Sequence, residues 1–159
     1  FGKAAIKIPV SILTDADPAK VEVDGQDPVA LYPKAGDVAE PSDNVVSMKK
    51  SEDEFVRVFH GVKTFEYDFA LHTENRAVML DTLEEVHPRI AKELRPKVEG
   101  AADDAAAAKE LFKGRFERKE KNVQKGRFAQ ALAAKIVDGK VAVVTPPYIL
   151  SAIEHVSKA

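Results

Sequence analysis

The chain has 159 residues, of which 45% are hydrophobic and 31% are charged, and its formal net charge is -2. This length is enough for one domain of ordinary size, and the composition is typical of a folded protein and excludes a disordered one. The absence of cysteine excludes disulfides, thiolate catalysis and cysteine-based zinc sites. The sequence contains neither an apolar run long enough to span a membrane nor a typical signal peptide, so we expect a cytoplasmic protein with no membrane partner.

The small net charge conceals an uneven distribution along the chain. Residues 15–54 contain eleven acidic and four basic residues, whereas residues 113–127 contain seven basic and two acidic ones. An acidic centre beside a basic surface is compatible with metal-dependent work on a polyanion.

The first predicted element is a strand that ends in two aspartates. Val10 to Leu13 form a short, largely apolar run, which is typical of a strand buried on both faces in a parallel sheet. Ligands bind beyond the carboxyl ends of such strands, where Asp15 and Asp17 would lie. Two carboxylates crowd negative charge there, and a divalent cation with oxygen ligands is the usual remedy. An aspartate at a strand end also commonly caps a turn, so both roles stay open.

The segment 18–54 has four prolines and no sustained period of 3.6 or 2 residues. We predict an irregular excursion whose acidic residues form a solvated surface. Residues 21–23 and 29–32 can pair as a small hairpin across residues 24–28, since Asp24-Gly25 is a favourable turn pair. Residues 36–50 are predicted to lack regular structure.

A second strand is predicted at residues 55–61. β-Branched and aromatic residues recur in alternation along this segment, which ends in glycine. A helix follows, with Thr64 placed to cap it and with Glu66 and Asp68 near its positive end. We expect this turn to lie at the same sheet edge as Asp15.

The rest of the chain is predicted to be helical, from apolar residues at three- and four-residue intervals. The predicted features are a helix to about residue 86 with a break at Pro88, a turn at 96–100, a helix at 101–122, a helix from 128 to 138, a short extended run at 141–144 and a final helix after Pro146-Pro147.

Lys125 and Arg127 flank a glycine just before one of these helices. Cations beside the backbone amides of a helix start are a suitable contact for phosphate. An ordinary solvated charge run is the alternative interpretation.

Four segments in a fixed order resemble a known family. ILTDAD at residues 12–17 resembles the aspartate motif of a Toprim domain. It is followed by KTFEYDFAL at 63–71, KGRFAQALA at 125–133 and PPYI at 146–149, an order similar to the carboxyl-terminal nuclease region of the OLD (overcoming lysogenisation defect) family. The resemblance covers most of the chain outside the excursion, and the ordered combination is more specific than any single segment.

The resemblance implies an α/β fold, with a partial Toprim-type parallel sheet flanked by helices and an appended helical region. It divides the chain into a partial Toprim core at 1–71, interrupted by the excursion at 18–54, a helical insertion or appendage at 72–124, and carboxyl-terminal helices at 125–159 that complete the Toprim region.

The resemblance further implies a metal-dependent DNA endonuclease. It assigns Asp15, Asp17 and Glu66 as ligands of Mg²⁺ or Mn²⁺, and Glu66 and Lys125 as catalytic residues. Lys125 and Arg127 become contacts for the DNA phosphate. The implied partners are DNA and an amino-terminal ABC-type ATPase domain of a parent chain, which alone would bind ATP. A homodimer is a further expectation.

One part of the Toprim pattern has no counterpart here. Toprim domains open with a strand and a glutamate motif, which nothing in this sequence supplies. We therefore expect a piece of a longer protein, with an incomplete two-metal site and with cleavage activity that is absent or badly impaired in the piece alone.

Two other functions stay open. An apolar strand followed by Asp-x-Asp also opens haloacid dehalogenase-like phosphotransferases, in which the first aspartate is a nucleophile. Ala19 stands here where that family usually has threonine or valine. The non-enzyme alternative is a degenerate Toprim module used for DNA docking or dimerisation.

Overall fold

The computed structural model describes residues 7–38, 40–116, 125–139 and 141–157. This part of the chain contains both strands and helices, which confirms the predicted α/β class. In chain order the elements are β1 (Val10–Thr14), β2 (Val21–Val23), β3 (Gln26–Val29), α1 (Asp43–Lys49), β4 (Val56–His60), α2 (Phe65–Ala70), α3 (Thr73–Val86), α4 (Pro88–Glu99), α5 (Asp104–Arg115), α6 (Lys125–Val137) and α7 (Pro147–Ser157).

The chain forms two compact units. The first is built from the chain up to Phe65 and from Thr145 onward, and the second from Glu66 to Val144. These boundaries differ from the predicted ones at residues 71 and 124. The assignment of either part to a Toprim domain stays a prediction.

The first unit contains the predicted parallel sheet. β1 pairs with β4 in parallel, in a register that runs from Val10 opposite Val56 to Thr14 opposite His60. Helix α7 packs on this pair of strands, where the Ser11 hydroxyl donates to the Ala152 carbonyl at 2.7 Å. Both strands therefore end at one edge, as the sequence predicts.

Burial of β1 on both faces was predicted and is wrong. The Val10 and Leu13 side chains are 42% and 52% exposed. The physical reason is width: in the described part of the chain the parallel sheet has two strands. A sheet this narrow leaves side chains near its edge accessible to water even when a helix covers one face.

The excursion contains more regular structure than predicted. β2 and β3 form the expected antiparallel hairpin, with Gly25 in the left-handed region at φ 72°, although its second strand begins at Gln26. Residues 36–50 are not wholly irregular, because α1 lies within them and buries Val45 beside β4. A seven-residue helix with one buried side chain shows no apolar period in the sequence.

The predicted continuous helix to residue 86 is interrupted. α2 ends at Ala70 and α3 begins at Thr73. The buried Arg76 side chain explains the break, since its Nη1 donates to the Ala70 and Leu71 carbonyls at 2.9 and 3.0 Å. These bonds satisfy carbonyls that the end of α2 would otherwise leave without partners.

Proline has two different effects around α4. The predicted break at Pro88 is confirmed, because α3 ends at Val86 and Pro88 opens α4. The predicted turn at 96–100 is wrong, because α4 continues through Pro96 to Glu99. The proline lies close enough to the helix end that few backbone hydrogen bonds are lost.

The last helices of the second unit begin and end at local signals. The Asp103 carboxylate caps α5 by accepting from the Ala106 amide at 2.8 Å. α5 ends at Arg115, and the rest of the predicted helix, residues 117–122, lies outside the described residues. α6 begins at Lys125 rather than at residue 128, and Gly139 follows its end at φ 64°.

Helices α3 to α6 pack together around an apolar core in the second unit. Its most completely buried large side chains include Tyr67, Met79, Leu83, Leu94 and Leu111. Residues 141–144 form no strand, and Val144 is instead bound by a buried asparagine side chain. None of the helices in the described ranges is long and apolar enough to cross a lipid bilayer.

Candidate functional site

Asp15 lies just beyond β1, and its side chain contacts the start of α2. Its Oδ1 accepts a hydrogen bond from the Phe65 amide at 3.0 Å. Phe65 is the first residue of α2, so the expected proximity between Asp15 and this helix start is confirmed. The carboxylate thus binds an amide that has no partner within the helix. Capping of this kind is one of the two roles that the sequence left open for Asp15.

Asp17 is exposed on a loop whose backbone is fixed. The Ala16 and Asp17 amides both donate to the Lys63 carbonyl, at 2.7 and 3.1 Å, and the Ala16 carbonyl accepts from the Ser42 amide at 2.8 Å. Asp17 has φ 41°, a backbone conformation that aspartate tolerates better than most residues. The two carboxylates are therefore displayed by a loop that the segment after β4 holds in place.

Lys63 is a residue of this region to which the sequence assigned no role. Its side chain is buried, and its Nζ lies 4.7 Å from the centre of the Tyr32 ring. This geometry is a cation–π interaction, and it links the excursion to the segment that holds the aspartate loop. No local pattern predicts it, because Tyr32 and Lys63 meet only through tertiary folding.

The described residues do not complete a metal site. No group of three or more histidine, aspartate or glutamate side chains within them is placed to hold a metal ion. Asp15 and Asp17 offer oxygen atoms of the right chemistry for Mg²⁺ or Mn²⁺, but a divalent cation usually takes more protein ligands or many waters. No catalytic step through a metal follows from these carboxylates alone.

In the second unit, the structure brings Glu66 and Lys125 together. The Lys125 Nζ lies 4.0 Å from Glu66 Oε1, and their side chains are 66% and 30% exposed. A pair this open to water contributes little to stability. Lys125 is the first residue of α6, and its Nζ also lies 5.7 Å from the centre of the Phe116 ring. Its ammonium group therefore stays accessible to a ligand.

Arg115 is a further basic residue that sequence reasoning missed. Its guanidinium lies 4.9 Å from the centres of both the Phe116 and Phe128 rings, and the residue is 2% exposed. Burial lowers the pKa of Arg115 to about 10, and the charge of Glu66 opposes this shift. The group still carries its charge at neutral pH. The sequence predicted only a helix around this residue, and the burial of Arg115 against the Phe128 ring depends on a residue of the next helix.

Arg127 is exposed on α6, two residues after Lys125. Its charge acts on His87, which lies between α3 and α4. The buried His87 Nε2 has no hydrogen-bond partner among the described residues. Burial, followed by the charges of Arg115 and Arg127, lowers the pKa of His87 below its ordinary 6.5.

We expect His87 to make the stability of the protein depend on pH. An unfolded chain binds a proton near pH 6.5 that folded His87 resists, so the free energy of unfolding should fall as the pH drops from about 7.5 to about 5. His87→Gln removes this titration, and urea denaturation across that range should give a shallower decline. Arg127→Gln removes one cause of the lowered pKa of His87 and should make the free energy of unfolding depend somewhat less steeply on pH. Parallel curves for the wild type and His87→Gln would contradict the assignment.

Comparison with known proteins found no relative of this chain. The chain matches no protein-family model, and neither the curated proteins nor the solved structures gave a significant match. The class that the fold defines is thus coarse, an α/β protein with a small parallel sheet and a helical unit. The finer assignment depends on the motifs and on the geometry around Asp15.

Proposed function

We propose that this chain is the carboxyl-terminal, Toprim-like region of a metal-dependent DNA endonuclease of the OLD type. One observation carries the proposal: the parallel pairing of β1 with β4 puts the Asp15 loop and the start of α2 at one sheet edge, where Asp15 Oδ1 binds the Phe65 amide. This edge is where open α/β sheets bind ligands. Many α/β proteins have such an edge. The ordered motifs that resemble the OLD family favour a nuclease among them.

In this proposal Asp15 and Asp17 supply part of the ligand set for Mg²⁺ or Mn²⁺. The hydrogen bond from Phe65 holds the Asp15 carboxylate in one orientation, which suits a metal ligand because orientation by neighbouring groups strengthens binding. We assign the remaining ligands to the glutamate motif of a longer parent protein. A metal bound there would activate water and neutralise charge on a phosphodiester.

The second unit supplies basic side chains for DNA. The accessible Lys125 ammonium neutralises charge on a phosphate, with Glu66 4.0 Å away as its local counter-ion. Arg127, exposed on the same helix, makes a further phosphate contact. Glu66 keeps its proposed role as an additional acidic contributor. ATP would bind only to the ABC-type ATPase domain of the parent.

Cleavage of DNA by the parent protein tests the proposal. We expect Asp15→Ala, Glu66→Ala and Lys125→Ala each to slow Mn²⁺-dependent nicking of supercoiled plasmid by about 100-fold or more, the loss typical of removing a transition-state contact. Asp24→Ala, which removes an exposed acid from the β2–β3 turn, is the matched control and should cleave normally. Normal nicking by all three site variants would refute the assignment.

Further experiments on the 159-residue chain and on its parent distinguish the nuclease from the phosphotransferase and from the docking module. We expect it to cleave no plasmid with Mg²⁺ or Mn²⁺, and cleavage would show that the site is complete within it. Metal-dependent capture of beryllium fluoride at Asp15 would favour a phosphotransferase, because that reagent traps an aspartate nucleophile. A parent that binds DNA tightly but never cleaves it would favour the docking module.

A further inference from the structure

An open cavity lies between α3, α4 and α5 in the second unit. Its volume is about 570 Å³, which is within the range of small-molecule sites. All of its lining residues come from this one unit. Its apolar lining consists of Ala77, Leu80, Val98, Ala101 and Ala107. Three of these residues are alanine, so short side chains leave a space that longer ones would fill.

The two arginines in the cavity wall are already bound by carboxylates of the protein. The Arg76 Nη2 lies 2.5 Å from Asp104 Oδ1. The Arg95 Nη2 lies 2.9 Å from Asp81 Oδ1 and 2.8 Å from Glu84 Oε2. An anionic ligand would have to compete with these carboxylates for either guanidinium, so the arginines do not make the cavity an anion site.

Negative charge exceeds positive charge among the described lining residues and the ion-pair partners of the two arginines. Glu99, Asp103 and Asp104 line the cavity, and Asp81 and Glu84 are the partners of the second arginine. These five carboxylates thus surround two guanidiniums. In addition, α4 ends at Glu99, where its last carbonyls form the negative end of a helix dipole. The cavity therefore attracts cations.

Glu99 is the carboxylate best placed to bind a ligand. Its Oε1 lies 3.7 Å from Arg95 Nη1, which is longer than a hydrogen bond, and its side chain is 62% exposed. Asp104 is bound to Arg76, and Asp103 caps α5. Since a long, exposed ion pair contributes little to stability, Glu99 can bind a new cation at little cost to the fold.

The spread of these carboxylates favours an organic cation over a metal ion. No three aspartate, glutamate or histidine side chains of the described chain are placed to hold a metal ion. An organic cation needs one carboxylate for its charge, and it can bury its apolar part against Leu80 and Val98 in the cavity wall. An ammonium group on an apolar chain matches both parts of this lining.

We propose that the cavity binds a primary alkylamine. Its ammonium group lies at the Glu99 carboxylate beside the end of α4, and its apolar chain covers Leu80, Val98 and the neighbouring alanines. A charge-assisted hydrogen bond holds one end of the ligand, and burial of apolar surface holds the other. A free amine and the side chain of a lysine on a protein partner both offer this chemistry. The site is independent of the proposed nuclease function.

Two probes of opposite charge test which ligand the cavity selects. We expect hexylammonium to shift the amide nuclear magnetic resonance signals of residues 98–107 in a saturable manner, with a Kd of about 1 mM, typical of so small a ligand. Hexanoate, which has the same chain length and the opposite charge, should bind more weakly by about tenfold or more. Equal binding of the two probes, or no saturable binding of hexylammonium, would overturn the proposal.

Two substitutions test where the amine binds. Ala77→Leu fills the cavity and should abolish hexylammonium binding, whereas Ala134→Leu, at an exposed position of α6, should leave it unchanged. Glu99→Gln should weaken binding by about tenfold, because it removes the charge that binds the ammonium group. Glu93→Gln, at an exposed position of the same helix outside the cavity lining, should not. Thermal denaturation verifies that the variants fold, and wild-type affinity in either Ala77→Leu or Glu99→Gln would refute the site.

Two further probes identify the source of the amine. Butylammonium represents a free amine, and lysine blocked at both backbone ends carries the same four-carbon ammonium chain in the form that a protein presents. Tighter binding of butylammonium would support a free amine as the ligand, and tighter binding of the blocked lysine would support a protein partner. Binding of neither probe would contradict the proposal.

Discussion

Replacement of Asn75 by alanine should lower the free energy of unfolding of the second unit by about 2–4 kcal/mol, because it leaves several buried backbone groups unpaired. Asn75 is completely buried. Its Nδ2 donates to the Phe69 and Val144 carbonyls at 3.0 and 2.7 Å, and its Oδ1 accepts from the Val144 amide at 2.7 Å. One side chain thus joins α2, α3 and the segment after α6.

The chemistry of the amide can be separated from its volume. Asn75→Asp keeps an acceptor for the Val144 amide but turns an oxygen toward two carbonyls, so at neutral pH it should be at least as harmful as Asn75→Ala. Gln130→Ala removes an exposed amide from α6 and should change stability little. Urea denaturation and hydrogen exchange of the α3 amides measure the effect. A loss for Asn75→Ala as small as that for Gln130→Ala would contradict this account.

Gly114→Ala should destabilise the second unit by about 1–3 kcal/mol, the usual cost of overpacking a core. A Cβ at residue 114 would lie 2.1 Å from Leu94 Cδ2 and 3.0 Å from Leu94 Cγ. Leu94 is 2% exposed, so a close-packed interior leaves its methyl groups little room to move. Alanine is the better helix former by up to about 1 kcal/mol, but near the end of α5 this gain is smaller than the cost of the clash.

Gly126→Ala is the matched control for Gly114→Ala. A Cβ at residue 126 meets no atom of the described residues within 4 Å, so this substitution in α6 should be neutral or stabilise by up to about 1 kcal/mol. Thermal and urea denaturation of both variants should therefore give changes of opposite sign. Equal stabilisation by the two substitutions would show that α4 and α5 are packed less closely around Gly114 than these distances indicate.

The position of the candidate site at a sheet edge was predictable from local sequence patterns. Asp15 and Asp17 follow an apolar run, and the alternation of residues 55–61 indicated a second strand, so a shared sheet edge could be inferred. The cation–π contact of Lys63 and the burial of Arg115 could not, because they depend on residues from distant parts of the chain. The hydrogen bond from the Phe65 amide to Asp15 is compatible with a metal ligand as well as with a helix cap.

The sequence by itself determined the elements that local chemistry encodes. β1 and β4 follow from apolar and alternating runs, the hairpin from Asp24-Gly25, and the starts of α4 and α7 from proline at a first helical turn. Each of these signals acts within a few residues, so it needs no knowledge of the rest of the fold.

Only the tertiary structure decided features that depend on distant partners. The Asn75 side chain binds the Val144 backbone, 69 residues further along the chain, and the Ser11 hydroxyl donates to the Ala152 carbonyl of α7. A partner this far along the chain leaves no periodic pattern in the sequence. Packing and the pairing of backbone groups set these features after the local elements have formed.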